Sequence, residues 1–535
     1  MQLTTFRFFI FALLTIVIYF SVPKKGRWIV LLVSSMVFYG INGIGNCFFI
    51  LITAASTFFA ARWIMSERLR LDNWIRDNSQ LPRGEQKAYK RKNASKRKTI
   101  LILTLILNFG LLVFFKYSNF LISQVNYFLE GTNTLKINAL SLVIPLGISF
   151  YTFTSMGYLI DTYWNKCRPQ QNFFRLLLFT SFFAQILQGP ISTYNQLGPQ
   201  LYEGHDFNYI NFKWGFQRFI WGLVKKLAIS NVASEYITAL FENHSSYSGL
   251  TVFLGILLYA VYIYADFSGY MDMVCGICQI MGIELAENFN RPYFSKSIAE
   301  YWRRWHITLG EWFKNYIYYI VGFSRPALFL SKKSIKVFGR TVAKNIPGTM
   351  ALIVVWFATG LWHGASYGYI VWGLLNGAFI IASMWLKPAY TQMCNVFHIK
   401  QESLVWKAFQ VIRTFILVAF IKILPEAGSL KNGLDLWKSV FANRFLPTGV
   451  RDLFAFIDIG KFPYRQELLY FCIMCVLTII MFVFSMMQRK KPVRESFNRI
   501  PMPVRTIILA AAFVMAIEIG ATSVGLNGAF LYEQF

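Results

Sequence analysis

Negative charge is what this sequence has least of. Its 535 residues include 25 Asp+Glu against 53 Lys+Arg, and charged residues of both signs make up only 15%. A water-soluble chain usually carries about 25%. No stretch is long and polar enough to stand as a separate soluble domain, and no internal repeat recurs at a fixed period. A string of soluble domains is excluded.

Other absences narrow the chemistry. There are seven cysteines, an odd number without a disulfide-like framework. The two C-x-x-C pairs, Cys275/Cys278 and Cys472/Cys475, lie in apolar runs and read as buried structural thiols. No G-x-S-x-G elbow is present, which argues against a serine hydrolase. H-E-x-x-H, a Walker-type phosphate loop and a dense His/Asp/Glu cluster are missing too, so no metal site and no bound cofactor is expected. The N-terminal "MQLTTFRFFIFALLTIVIYFSVPKKGR" lacks a small-x-small cleavage site, and its basic cluster follows the apolar run. It reads as a retained first helix, with Lys24, Lys25 and Arg27 in the cytoplasm and the N-terminus outside.

What is present is apolar: 56% of residues are hydrophobic and 18% aromatic, in runs that recur from end to end. The pattern predicts an all-α, polytopic membrane protein with roughly 10–13 embedded helices at ~20 residues per full span. The net charge of +28 sits in short loops between those runs. The positive-inside rule accounts for it, and nucleic acid is not needed as a partner. The expectation is one membrane domain in three parts: N-terminal helices and a basic cytoplasmic loop over 1–98, a core over 99–390, and C-terminal helices over 391–535.

Within that frame, Ser66–Lys98, with "KAYKRKNASKRK", is expected to be a solvated loop. Pro145 and Gly147 are expected to kink a helix over Leu142–Tyr163. Phe173–Ile191 reads as a span, and "KWGFQRFIWGLVKKLAI" as an interfacial helix. Gly322–Asn345, basic and without acids, reads as a cytoplasmic loop. Two spans are expected between Gly348 and Leu386, others at Leu250–Gly282, Trp406–Leu424, Leu468–Met486 and Val504–Ala521. "LKNGLDLWKSVF" reads as an amphipathic surface helix.

Polar groups inside a bilayer are costly, so they are the informative ones. Three clusters stand out. "YADFSGYMDM" places Asp266, Ser268 and Asp272 in an apolar run. The carboxylates either bind a cation or relay protons, or they pair with nearby Arg or cap a broken helix; the cost of burying an unpaired carboxylate favours the structural reading. The second is "ENFNRPYFSKSIAEYWRRWHITLGEWFKNY", with Asn290, Arg291, Arg303, Arg304, Trp305 and His306. Ser297 and Glu300 form a capping box that opens a single amphipathic helix. Trp302, Trp305, His306, Leu309, Trp312 and Phe313 then share one face at the membrane surface.

The third cluster is "FATGLWHGASYGYIVWGLLNG", which holds Trp362, His363, Gly364 and Asn376. A helix entering near Thr349 reaches His363 roughly 20 Å in, past the midplane of a ~30 Å core. His306 should lie nearer the cytoplasmic surface. A buried neutral imidazole can take a proton from a hydroxyl attacking a thioester or ester carbonyl. A packed core histidine bonded to a neighbouring helix is the equal alternative on composition alone.

Five stretches occur in order: "IPLGISFYTFTSMGYLIDTYW", "FFAQILQGPI" (which carries Gln188), "YADFSGYMDM", "ENFNRPYFSKSIAEYWRRWHITLGEWFKNYIY" and "GLWHGASYGYIVWGLLNG". Together they resemble the bacterial membrane-bound O-acyltransferase (MBOAT) family, in its alginate O-acetyltransferase (AlgI)-like branch. The C-terminal "LNGAFLYEQF" is similar to that branch's aromatic tail. The resemblance implies a ring of tilted helices around a thin centre with funnels from both faces. It implies that His363 matches the family's catalytic histidine and His306 its second histidine. Eukaryotic relatives often carry Asn at the second position, which suggests polar support.

It further implies acetyl transfer from cytoplasmic acetyl-CoA toward a cell-envelope or secreted polysaccharide, with an extracytoplasmic SGNH-like partner protein, in the bacterial cytoplasmic membrane. The basic residues Arg303, Arg304 and Lys314 would then attract an anionic donor. There are two departures: Ala184 stands where relatives often carry Pro, and "IKILPEAGSL" replaces an F-R-A-E-like stretch, leaving the acceptor open. The rival readings are D-alanyl transfer to teichoic acid (DltB-like), a transporter or flippase without acyl chemistry, and a scaffold for a soluble enzyme. No inverted repeat supports the transporter.

Overall fold

A computed structural model describes residues 3–130, 136–442, 444–489 and 493–522. The "LNGAFLYEQF" tail lies outside the described residues. Among them the regular structure is helical, and the only β-type pairing is one isolated bridge, Phe289 to Trp305. Among the described residues, eight helices are long and apolar enough to cross a membrane: Ile44–Asp77, Arg83–Leu129, Gly249–Ile280, Ile346–His363, Tyr367–Trp385, Leu404–Glu426, Tyr464–Met487 and Met502–Thr522. Phe6–Ser21 is a shorter apolar helix. The chain is an all-α, multi-pass membrane protein.

The helices gather into two compact units. The first takes residues 6–212 and 277–286. Here the expected basic loop is not a loop. Ile44–Asp77 and Arg83–Leu129 run far past their apolar portions and form a hairpin with only a short turn between them. Arg, Lys, Glu, Gln and Ala are good helix formers, so the helices continue through the charged stretch. Cross-contacts hold it: Glu67 pairs with Lys96 at 2.8 Å, the Asn93 amide donates to the Glu67 carbonyl at 2.8 Å, and Trp74 stacks on Tyr89 at 4.0 Å.

Two further expectations change in this unit. Pro145 and Gly147 do not kink a helix; the helix begins after them, at Ile148. Gly147 has φ 69°, and a Cβ there would strike the Ile186 carbonyl, so this close turn requires glycine. Phe173–Ile191 is not one span: the helix stops at Ser181, and residues 182–192 continue as buried non-helical chain. Gln188 belongs to this buried stretch.

The second unit takes residues 213–276 and 287 onward. The stretch read as interfacial is instead packed inside. Tyr209–Val224 continues into a π-helical turn over Lys225–Asn231, all of whose side chains are buried. Gly222 and Gly269 bring it against Gly249–Ile280 so closely that a Cβ on Gly222 would strike the Gly269 carbonyl. Arg325–Ala343, expected as a loop, is an amphipathic helix bent at Gly339 (φ 76°). Leu430–Ala442 is the amphipathic helix expected from its pattern. Cys275 and Cys278 are buried as expected, but Cys472 is exposed on its helix, because an apolar span need not face protein.

Candidate active site

The histidine hairpin is built by its glycines. Ile346–His363 ends on His363, Gly364 is extended, and Ser366 starts Tyr367–Trp385 by accepting from the Tyr369 N–H at 3.4 Å. Gly360 lies in the last turn of the first helix, Gly364 directly follows that helix, and Gly373 and Gly377 lie one turn apart on the second. A Cβ on Gly373 would strike the Trp356 carbonyl, and one on Gly364 the Tyr369 ring. The two backbones therefore touch, as small-x-x-x-small helix pairs do in membranes. His363 is placed where this zipped pair turns.

Aromatic rings then fix the imidazole. Tyr369 lies parallel to it, with centroids 6.1 Å apart and planes at 12°. Trp372 meets it edge-on at 4.9 Å and Trp362 at 4.8 Å. His363 is 7% exposed. The Tyr369 hydroxyl donates to Glu426 Oε1 at 3.1 Å, so the stacked ring is anchored from the far side.

His306 reaches the same group of rings from another element. Phe267 packs on it edge-on at 4.8 Å, and Trp362 lies 6.0 Å away. Trp362 thus touches both imidazoles. The expected single helix is corrected here: Ile298–Trp302 and Ile307–Phe313 are separate, and His306 joins them at φ 48°, ψ 52°. Asn288 makes the break. Its carbonyl accepts from the Ile307 N–H at 3.1 Å, and its Oδ1 accepts from the Thr308 N–H at 3.0 Å and hydroxyl at 2.7 Å. Trp305 and His306 are 2% and 1% exposed, so this face is buried in protein and does not lie on the membrane surface. His306 is outside the spanning helices, and burial, then the Lys422 charge, pushes its imidazole down to about 3.

A non-glycine residue in the left-handed region is uncommon, with Asn and His among the better tolerated. Such outliers gather at functional sites. His306→Asn keeps a residue that accepts this backbone and carries polar atoms, whereas His306→Ala keeps neither advantage. The Asn variant should therefore retain higher thermal stability and more acyl-transfer activity than the Ala variant. Equal melting temperatures and equal rates would remove the polar-support role.

The other predicted residues divide. Asn376 belongs to the site: its Oδ1 accepts from Trp302 Nε1 at 2.9 Å, and Trp302 packs on Trp356 and Trp372. Asp266 and Asp272 brace the fold. Asp266 pairs with buried Lys226 at 2.6 Å, and Asp272 pairs with Lys225 at 2.7 Å and Arg218 at 2.8 Å. Ser268 accepts from Lys225 at 2.9 Å. That motif reaches the site through the ring of Phe267, not through its carboxylates. Arg304 is tied to Glu300 at 2.6 Å, while Arg303 and Asn290 are exposed. Arg291 is half-buried with φ 50°, and its carbonyl accepts from Arg304. Gln188 belongs to the other unit.

Sequence reasoning missed Lys422 and Glu426. The Lys422 ammonium lies 3.3 Å from the Trp305 ring centroid and is 4% exposed. Lys422 and Glu426 stand one turn apart in an apolar span, a signal that was available. Asn288 had no such signal, since a polar residue in a loop is ordinary.

Residues 168–423 match the membrane-bound O-acyltransferase family, a range that includes both histidines. Over these residues the chain is similar to that family. It is 32% identical over 343 residues to a probable alginate O-acetylase AlgI of Pseudomonas aeruginosa, covering 64% of this chain and 60% of that protein. It is 32% identical over 374 residues to a peptidoglycan O-acetyltransferase of Helicobacter pylori, covering 65% of each. A teichoic acid D-alanyltransferase of Bacillus subtilis is 30% identical over 246 residues, 44% of this chain and 58% of that one. The matched part of the chain spans 60% and 65% of the length of the first two relatives.

Proposed function

We propose that this protein is a membrane O-acetyltransferase that moves acetyl groups from cytoplasmic acetyl-CoA toward hydroxyls of a cell-envelope or secreted polysaccharide. The observation that carries this reading is the pair of buried histidines on one tryptophan, with His363 held at a glycine-zipped helix turn. The names of the two relatives at 32% identity support the acetyl group and the polysaccharide.

In this reading a hydroxyl gives its proton to the His363 imidazole as its oxygen attacks the thioester carbonyl. A C–O bond forms and a tetrahedral oxyanion results. The C–S bond then breaks, and the imidazolium returns its proton to the departing thiolate. His306 supports the site from the donor side, and Tyr369, tethered to Glu426, keeps the His363 ring in place. The protein would sit in the bacterial cytoplasmic membrane with its N-terminus outside. An extracytoplasmic SGNH-like protein would complete transfer to the sugar.

In membrane vesicles from cells expressing the chain, label from [14C]acetyl-CoA should enter envelope glycan as a base-labile ester. D-alanyl transfer is the second reading, from its relatives' names. Label passing from a D-alanyl carrier protein and none from acetyl-CoA would replace the first reading with the second. Acyl transfer from neither donor would overturn both.

A further inference from the structure

The long hairpin of the first unit carries a groove of about 910 Å3 that takes no part in the proposed chemistry. Ile44–Asp77 contributes Phe59, Ala60 and Trp63, and Arg83–Leu129 contributes Arg91, Lys92, Lys96, Ile100 and Leu103. Its composition changes along its length. The bases occupy one end, and the other is apolar, with Phe59 and Leu103 66% and 61% exposed. From Lys92 to Leu103 is eleven positions, a rise of about 16 Å. Trp63, 53% exposed, stands at the junction, where tryptophan anchors membrane segments at the headgroup level.

Among the described residues, no carboxylate lines the groove. Lys96 is engaged with Glu67, but among the described residues Arg91 and Lys92 enter no ion pair. The positive-inside rule explains why bases stand at this end of the hairpin. It does not explain a cleft that joins them to an open apolar wall. A molecule complementary to both ends has an anionic phosphate at one end and hydrocarbon at the other.

We propose that this groove binds an anionic diacyl phospholipid. Its phosphate lies between Arg91 and Lys92, and its acyl chains lie along Phe59 and Leu103. Basic pockets at the headgroup layer recognise such lipids by charge. The site is independent of the acyl-transfer reading.

The test uses the full chain in detergent micelles with equimolar phosphatidylglycerol and phosphatidylcholine, with retained lipid measured by native mass spectrometry. The unaltered protein should retain phosphatidylglycerol over phosphatidylcholine by at least about tenfold. Arg91→Gln/Lys92→Gln should bring the ratio near one; Lys96 is left alone because it holds Glu67. Lys332→Gln/Lys333→Gln removes the same charge from the exposed Arg325–Ala343 helix and should leave the ratio unchanged. No preference in the unaltered protein, or equal loss in both variants, overturns the site. Displacement of the lipid by millimolar glycerol 1-phosphate would make it a site for free phosphate and also overturns the proposal.

Discussion

Replacing His363 with alanine should lower acetyl transfer by about 10²–10⁴-fold, the range that a positioned general base contributes. The imidazole is the one basic side chain held at the turn of the glycine-zipped hairpin, with Tyr369, Trp372 and Trp362 around it. The alanine variant should still fold. The hairpin is held by backbone contact at Gly360 and Gly373, not by the ring. The measurements are thermal unfolding in detergent and the rate of label transfer from acetyl-CoA at matched protein amounts. Transfer at an unchanged rate would eliminate proton transfer by His363. A rate that fell only in proportion to lost folded protein would return His363 to a packing role.

Substituting Gly373 with valine should be as damaging to activity, through geometry. A side chain there meets the Trp356 carbonyl and the Gly360 backbone, neither of which is a flexible tip that can move aside. The helices must separate, and Trp356, Trp372 and the Trp302–Asn376 bond shift with them. Overpacking a tight core costs about 1–3 kcal/mol, occasionally more. A misplacement of 1 Å at reacting groups can cost about 10²-fold in rate. Gly110→Val is the matched control, because nothing lies within 4 Å of a Cβ at that exposed helix position. Gly373→Val should lower both the melting temperature and the transfer rate, and Gly110→Val should change neither by much. Equal behaviour of the two variants would show that the close helix contact does not position His363.

The histidine hairpin was readable because its signals are local. Apolar length marks Ile346–His363 and Tyr367–Trp385 as two spans, with His363 at the end of the first. His306 was legible as a candidate, but its setting was not. Trp302, Trp305 and Leu309 have helical spacing, yet Asn288, distant in sequence, ends one helix and starts another between them. Spacing cannot see a partner from another element. The basic stretch 66–98 misled in the opposite sense, since charge marks where a helix leaves lipid, not where it ends.

By itself, the sequence determined the solvent and the positions of the eight long spans found among the described residues, two of which flank His363, because each depends on a run of neighbouring residues; its count of roughly 10–13 embedded helices was too high, since several apolar runs are short or broken. Only the tertiary structure decided which ionisable groups brace the fold and which hold the rings around the imidazoles. Lys225, Lys226 and Arg218 neutralise Asp266 and Asp272, while Lys422 and Glu426 reach Trp305 and Tyr369. The physical reason is that a charge inside a membrane protein takes its meaning from its partner, and that partner is chosen by packing between helices far apart in the chain.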